Sequence, residues 1–158
     1  MYPQGTLMHT LNHASMIGKM NDNQIVNVLQ SQLIGRLACY ADKKLYLVPI
    51  TYAYQDGYIY CHSKDGMKID MMTKNPDVCF EVDQIENMNS WRCVILWGRY
   101  EKLDSSSAQE KAREILNDRI EPFSIGETVV PYIRQDVPHT FRIKIVEQTG
   151  RYEKMQRG

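Results

Sequence analysis

Residues 58–76 read YIYCHSKDGMKIDMMTKNP, and the parsing of this stretch decides the fold. Tyr58, Ile59 and Tyr60 are β-formers. His62, Ser63, Lys64, Asp65 and Gly66 make a compact turn. Residues 67–74 carry helix formers, and Pro76 closes them. The pattern predicts a strand that ends in a polar turn and runs straight into a short helix, with Ser63 as its expected cap. A hydroxyl, an imidazole, lysines and the unpaired N–H groups of a helix start would converge there. Such a place suits a phosphate, because the helix start offers free donors and a favourable dipole.

Working outward, residues 36–41, 44–55 and 57–62 read as consecutive strands. Asp42-Lys43 and Asp56-Gly57 are the hairpin punctuation between them. Pro49 cannot donate to a ladder, so its strand must bulge or lie on an edge there. Residues 77–87 and 91–103 are strand-like, and Phe141, Ile143 and Ile145 alternate with Arg142 and Lys144 in a last strand over 140–146. Asn21 or Asp22 would cap a helix to about Gln32, with Ile25, Val28, Leu29 and Leu33 as its apolar stripe. Ser106 or Ser107 would open another through a capping box with Gln109 or Glu110. Residues 122–138, broken by Gly126, Pro131 and Pro138, read as a loop with a short turn. Residues 1–20 read as an irregular N-terminal arm ahead of one domain over 21–158. The expected fold is mainly β: about six antiparallel strands joined by tight turns, with two or three flanking helices. Closing the sheet into a barrel would remove its edges.

The bulk numbers agree with one globular domain. The chain has 158 residues, 43% hydrophobic and 24% charged. Lysine plus arginine and aspartate plus glutamate both number 19, so no global field attracts nucleic acid or an acidic membrane, and any anion site must be local. Cys39, Cys61, Cys79 and Cys93 show no C-x-x-C pair and read as reduced, buried thiols. No signal peptide is visible, and no apolar run approaches the roughly 20 residues that span a bilayer; cytoplasm is the expected location. His9 and His13 lack a third ligand in any clear pattern, so no metal site is expected. Trp91 and Trp97 should share one face of their strand, in the core or at a dimer interface.

The ordered pieces resemble a known family. Gly35-Arg36-Leu37-Ala38 is followed by residues 45–52 (LYLVPITY), then by Ile59-Tyr60-Cys61-His62-Ser63 with Gly66-x-Lys68. After these come residues 75–82 (NPDVCFEV) and 92–98 (RCVILWG). Together they resemble the pyridoxamine 5'-phosphate oxidase-like split-barrel flavoproteins, nearest to their branch related to nitroimidazole-resistance proteins. The resemblance covers residues 22–121 and echoes in the last strand. It implies a six-stranded split β-barrel, a homodimer, and one FMN per subunit at the dimer interface. It also implies that Val48, Pro49, Ile50 and Thr51 lie along the flavin and ribityl chain, that His62, Ser63 and Lys68 surround the phosphate, and that the strand carrying Arg92, Cys93 and Trp97 adds cofactor contacts.

The local chemistry agrees. A phosphate dianion wants charge-assisted bonds from Lys68 and donors from Ser63 and the helix start. A flat ring system suits β-branched walls with backbone groups at its polar edge. In the nitroimidazole-resistance branch the residue matching His62 lies near the flavin, which implies a catalytic role: a proton passed to a reduced acceptor. Cys93 departs from the polar residue common at its position and reads as a buried thiol. The basic and aromatic substrate clamp of true pyridoxamine phosphate oxidases is absent, which argues against vitamin B6 oxidation. The expected function is an FMN-dependent oxidoreductase acting on small organic acceptors such as nitroaromatics. The alternatives are a flavin-binding module without turnover, or a haem-binding split barrel with His62 or His139 as axial ligand.

Overall fold

The computed structural model describes residues 15–123 and 139–155. In chain order the elements are β1 (Ser15–Lys19), α1 (Asp22–Ser31), β2 (Ile34–Ala41), β3 (Lys44–Gln55), β4 (Tyr58–Ser63), α2 (Met67–Lys74), β5 (Asp77–Asn87), β6 (Ser90–Lys102), α3 (Ser106–Ile120) and β7 (His139–Met155), with a 3-10 turn at Glu121–Phe123. The hairpins form where the turn chemistry puts them. Asp42, Lys43, Asp56 and Gly57 all have positive φ, the backbone that matches the twist of the flanking strands in a two-residue turn.

The strands follow the order β1-β7-β4-β3-β2-β5-β6, and β6 pairs again with β7. That last pairing closes six strands into an antiparallel barrel, as the sequence pattern and the resemblance lead one to expect. β7 makes the closure. Its first residues pair with β4, from Thr140 opposite His62 to Lys144 opposite Tyr58, and its whole middle pairs with β6. The strand expected over 140–146 is therefore much longer than its alternating core. It also carries a seventh strand: β1 pairs with residues 151–155. This corrects the reading of residues 1–20 as irregular, for residues 15–19; residues 1–14 lie outside the described ones. SMIGK has little pattern of its own and becomes a strand because the far end of the chain offers an edge.

The barrel interior is filled by Leu37, Phe80, Val82, Val94, Leu96, Phe141 and Ile143, all fully buried. Tyr52 sets its ring edge-on to Phe80, with centroids 5.3 Å apart, and donates from its hydroxyl to Leu29 O at 2.8 Å. That bond ties α1 across one end of the barrel. Gly35 is glycine for a packing reason, since a Cβ there would sit 2.3 Å from the Phe80 ring. α3 packs over β3, β4 and β7 and buries Ala112, Leu116 and Ile120 with Ala53 and Tyr60. Its cap is Ser105, whose Oγ accepts from Ala108 N at 3.2 Å, one residue earlier than the capping-box pattern suggests. Gln109 instead donates to Leu103 O at 2.8 Å. The loop expected over 122–138 starts with the 3-10 turn, and residues 124–138 lie outside the described ones.

β3 parts from β4 partway along its length. β3 pairs with β4 only over Tyr52–Gln55, while it pairs with β2 along residues 44–51. Tyr52 N–H donates to Leu33 O at 3.0 Å. In an antiparallel ladder the direction of the backbone groups alternates, so Ile50 and Val48 also turn theirs towards β2. Pro49 turns its own to the side away from β2, beyond the end of the β4 ladder. The proline thus stands where no ladder asks it for a donor.

Candidate functional site

The turn between β4 and α2 stands at this opening. The register that pairs Tyr52 with Cys61 runs out at Thr51 and His62, where the two strands part. α2 begins at Gly66, with φ 154°, and no side chain caps it. Its first turn closes through Ile69 N and Asp70 N, which donate to Gly66 O at 3.0 and 3.2 Å, so the earliest amides keep no intrahelical acceptor. The expectation that Ser63 caps this helix is corrected. Ser63 is 7% exposed, and its Oγ donates to Lys64 O at 2.7 Å. The residue at 66 must be glycine for its backbone, and a Cβ added there meets nothing within 4 Å.

Lys68 lies in the first turn of α2 with Asp70. Its charge reaches His62, Cys61 and Cys39. Burial first, and then Lys68, hold the His62 imidazole below its ordinary pKa, so it is neutral near pH 7. Burial pushes the Cys39 thiol up to about 11, with Lys68 opposing, and raises that of Cys61 further; both are inert core groups. His139 Nε2 meets Asp65 Oδ1 at 2.5 Å, which ties the turn to the start of β7. That contact occupies the ring nitrogen a haem ligand would use.

His62, Ser63 and Lys68 are therefore brought together, with Thr51 at their edge. Val48 and Ile50 point into the core, and Pro49 and Thr51 point outward. The residues of β6 go elsewhere in the same chain. Arg92 stands at the α1 end, where Nη1 meets Gln84 Oε1 at 3.4 Å and Glu86 Oε1 at 3.9 Å. With Met20, Gln24, Trp91 and Tyr152 it lines a cavity of about 140 Å³. Cys93 is half-buried, not buried as expected, and lies against Glu81 Oε1 at 3.4 Å. Burial and that carboxylate raise its pKa to about 12. Arg36 holds Asp83 at 2.5 Å and Glu81 at 3.7 Å beside it. Trp97 is 43% exposed on the same outer face as Tyr40, Leu45 and Leu47. Trp91 shares that face, as expected, and donates to Glu153 Oε2 at 2.7 Å.

One residue at the site carried no local signal, Thr140. It comes from β7, as does the His139 that holds Asp65, and only the closed barrel reveals the partners of that strand. Among the described residues no helix is long and apolar enough to cross a membrane, and no group of three or more His, Cys, Asp or Glu is placed to hold a metal. His9 and His13 lie outside those residues.

The arrangement has relatives. The family described as Pyridoxamine 5'-phosphate oxidase matches residues 21–152. An uncharacterized protein of Rhizobium meliloti (strain 1021) is 36% identical over 87 residues, which are 55% of this chain and 58% of that protein. The chain thus aligns with little more than half the length of that curated relative. Among solved structures, a FAD-binding protein from Mesorhizobium loti superposes with a TM-score of 0.69 and 30% identity, covering 87% of this chain and 98% of that one. A proposed 5-nitroimidazole antibiotic resistance protein from Bacteroides thetaiotaomicron gives 0.71 at 15% identity, covering 90% of each. At that identity the likeness is one of fold.

Proposed function

This chain belongs to the pyridoxamine 5'-phosphate oxidase family, and on that premise we propose that it is a flavoprotein. It holds FMN with the phosphate at the β4–α2 turn and the ring along β3 where that strand parts from β4. The observation that carries this reading is the convergence of Lys68, His62 and an uncapped helix start at the point where β3 and β4 part. The FAD-binding relative from Mesorhizobium loti, 30% identical over most of both chains, supports a flavin. FMN is preferred because one short turn offers room and charge for a single phosphate.

The Lys68 ammonium neutralises part of the dianion, and the first amides of α2 donate to its oxygens. The Pro49 carbonyl, turned away from β2, would be the backbone group offered to the polar edge of the ring. Val48 and Ile50, anchored in the core, hold that strand rigid. Bound flavin supplies hydride or electron transfer from a reduced donor to a small organic acceptor, such as a nitroaromatic. In this reading His62 is the catalytic residue, and its imidazole would pass a proton to that acceptor. A neutral imidazole with a depressed pKa is the stronger acid once protonated.

The functional unit of this proposal is a homodimer. Leu45 at 76% exposure and Leu47 at 65%, next to Tyr40 and Trp97, form an apolar sheet face of the kind a second copy covers. Such a copy would bring Trp97 and Cys93 towards a cofactor that they do not approach within one chain. The test is direct. Protein purified without added cofactor should release FMN on heating, identified by mass. A nicotinamide donor should reduce the bound flavin, and a nitroimidazole should reoxidise it faster than oxygen does. Released FAD would overturn the FMN assignment, absence of any flavin the whole proposal, and reoxidation by oxygen alone the enzymatic part.

A further inference from the structure

Thr140 is 3% exposed, and its Oγ1 has no hydrogen-bond partner among the described residues. A hydroxyl buried in that state lowers stability, because it has lost water and gained nothing. Its position is specific. It stands directly opposite His62 in the β4–β7 ladder, one step along from Ser63 opposite His139. Residues opposed in this way put their side chains on the same face, with Cβ atoms about 5 Å apart. The Thr140 hydroxyl therefore shares a face with the imidazole on which the Lys68 charge acts. The preceding residue, His139, holds the carboxylate of Asp65 at 2.5 Å. Asp65 is the one acid in the turn over residues 63–66, and β7 takes it in hand.

We propose that Thr140 is a phosphate-binding residue. Its hydroxyl donates to an oxygen of a monoester phosphate that is also held by Lys68 and the start of α2. This rests on the flavin reading above and adds to it a residue that neither motif nor strand periodicity singles out. It also explains an otherwise costly choice of side chain, since valine has nearly the same shape and would leave no unpaired group.

The experiment uses Thr140→Val and Thr140→Ser, with FMN and riboflavin, which lacks the phosphate, as the two probes. Apo Thr140→Val should melt at or above the temperature of the wild type, because a buried unpaired group has been removed. Its dissociation constant for FMN should rise about tenfold or more, the range for a hydrogen bond to a charged acceptor. Riboflavin binding should stay unchanged, and Thr140→Ser should bind FMN within about threefold of the wild type. Equal FMN affinity in wild type and Thr140→Val would overturn the inference alone. So would a parallel loss of FMN and riboflavin, which marks a packing role, or a fall in the apo melting temperature, which marks a partner already present. Wild-type protein that binds neither probe would overturn the flavin reading itself.

Discussion

α1 and α2 each begin where a strand gives way to a short helix, yet they begin in opposite ways. α1 is closed by its own sequence. Asn21 Oδ1 accepts from Gln24 N at 3.0 Å, and Gln24 Oε1 accepts from Asn21 N at 2.9 Å. Behind this capping box the helix presses on Gly150, where a Cβ would stand 2.6 Å from Met20 Cε and 2.8 Å from Ile25 Cγ1. α2 starts at a glycine with no side-chain cap and with open space where a Cβ would be. A helix that satisfies its own first amides has nothing left for a ligand. One that leaves them open, with a lysine in the first turn, has both donors and charge to offer.

The contrast can be broken or sharpened by substitution at either end. At the open end, Lys68→Ala should weaken FMN binding by about 1.5–3 kcal/mol, the scale of a hydrogen bond to a charged group, while the apo melting temperature barely moves. Titration of apo-protein with FMN decides it, and an unchanged dissociation constant removes Lys68 from the site. At the closed end, Gly150→Ala should cost about 1–3 kcal/mol of stability through overpacking against Met20 and Ile25. Denaturant unfolding reads that loss, and FMN affinity should not follow it. Asn21→Ala should cost about 1 kcal/mol through the lost cap, again without effect on the flavin. If either α1 substitution shifted flavin affinity as much as Lys68→Ala, the two ends would not be independent.

The smallest effect concerns pH. His62 has a folded pKa below its ordinary 6.5, so the unfolded chain binds more protons in the interval between the two. Its contribution to stability is complete above pH 6.5 and is lost as the pH falls through the folded value. The difference in unfolding free energy between wild type and His62→Gln should therefore shrink on acidification below 6.5. A difference independent of pH would show that the imidazole is not buried beside Lys68.

Much of this was legible in the chain itself. Asp56-Gly57 and Asp42-Lys43 announced their hairpins, because few residues tolerate positive φ. Residues 67–74 announced their helix, and the alternation of Phe141, Ile143 and Ile145 with Arg142 and Lys144 announced the inner face of β7. What failed did so where the cause was distant. Ser15–Lys19 gave no strand signal, because its partner lies at residues 151–155. Ser63 looked like a cap, because its type fits one, but the chain turns three residues later at Gly66. Arg92 and Lys68 looked like members of one cofactor shell, yet within this chain they occupy opposite ends of the barrel.

Local sequence was enough for most of the elements, for antiparallel pairing and for the turn that gathers His62, Ser63 and Lys68, because periodicity, turn chemistry and propensity act over a few residues. The folded chain alone sets the closure of the barrel by β7, the parting of β3 from β4 beyond Tyr52, and the burial of Thr140 opposite His62. Those facts depend on register between segments far apart in the chain. Register is set by how side chains fill one shared interior, which no local window contains.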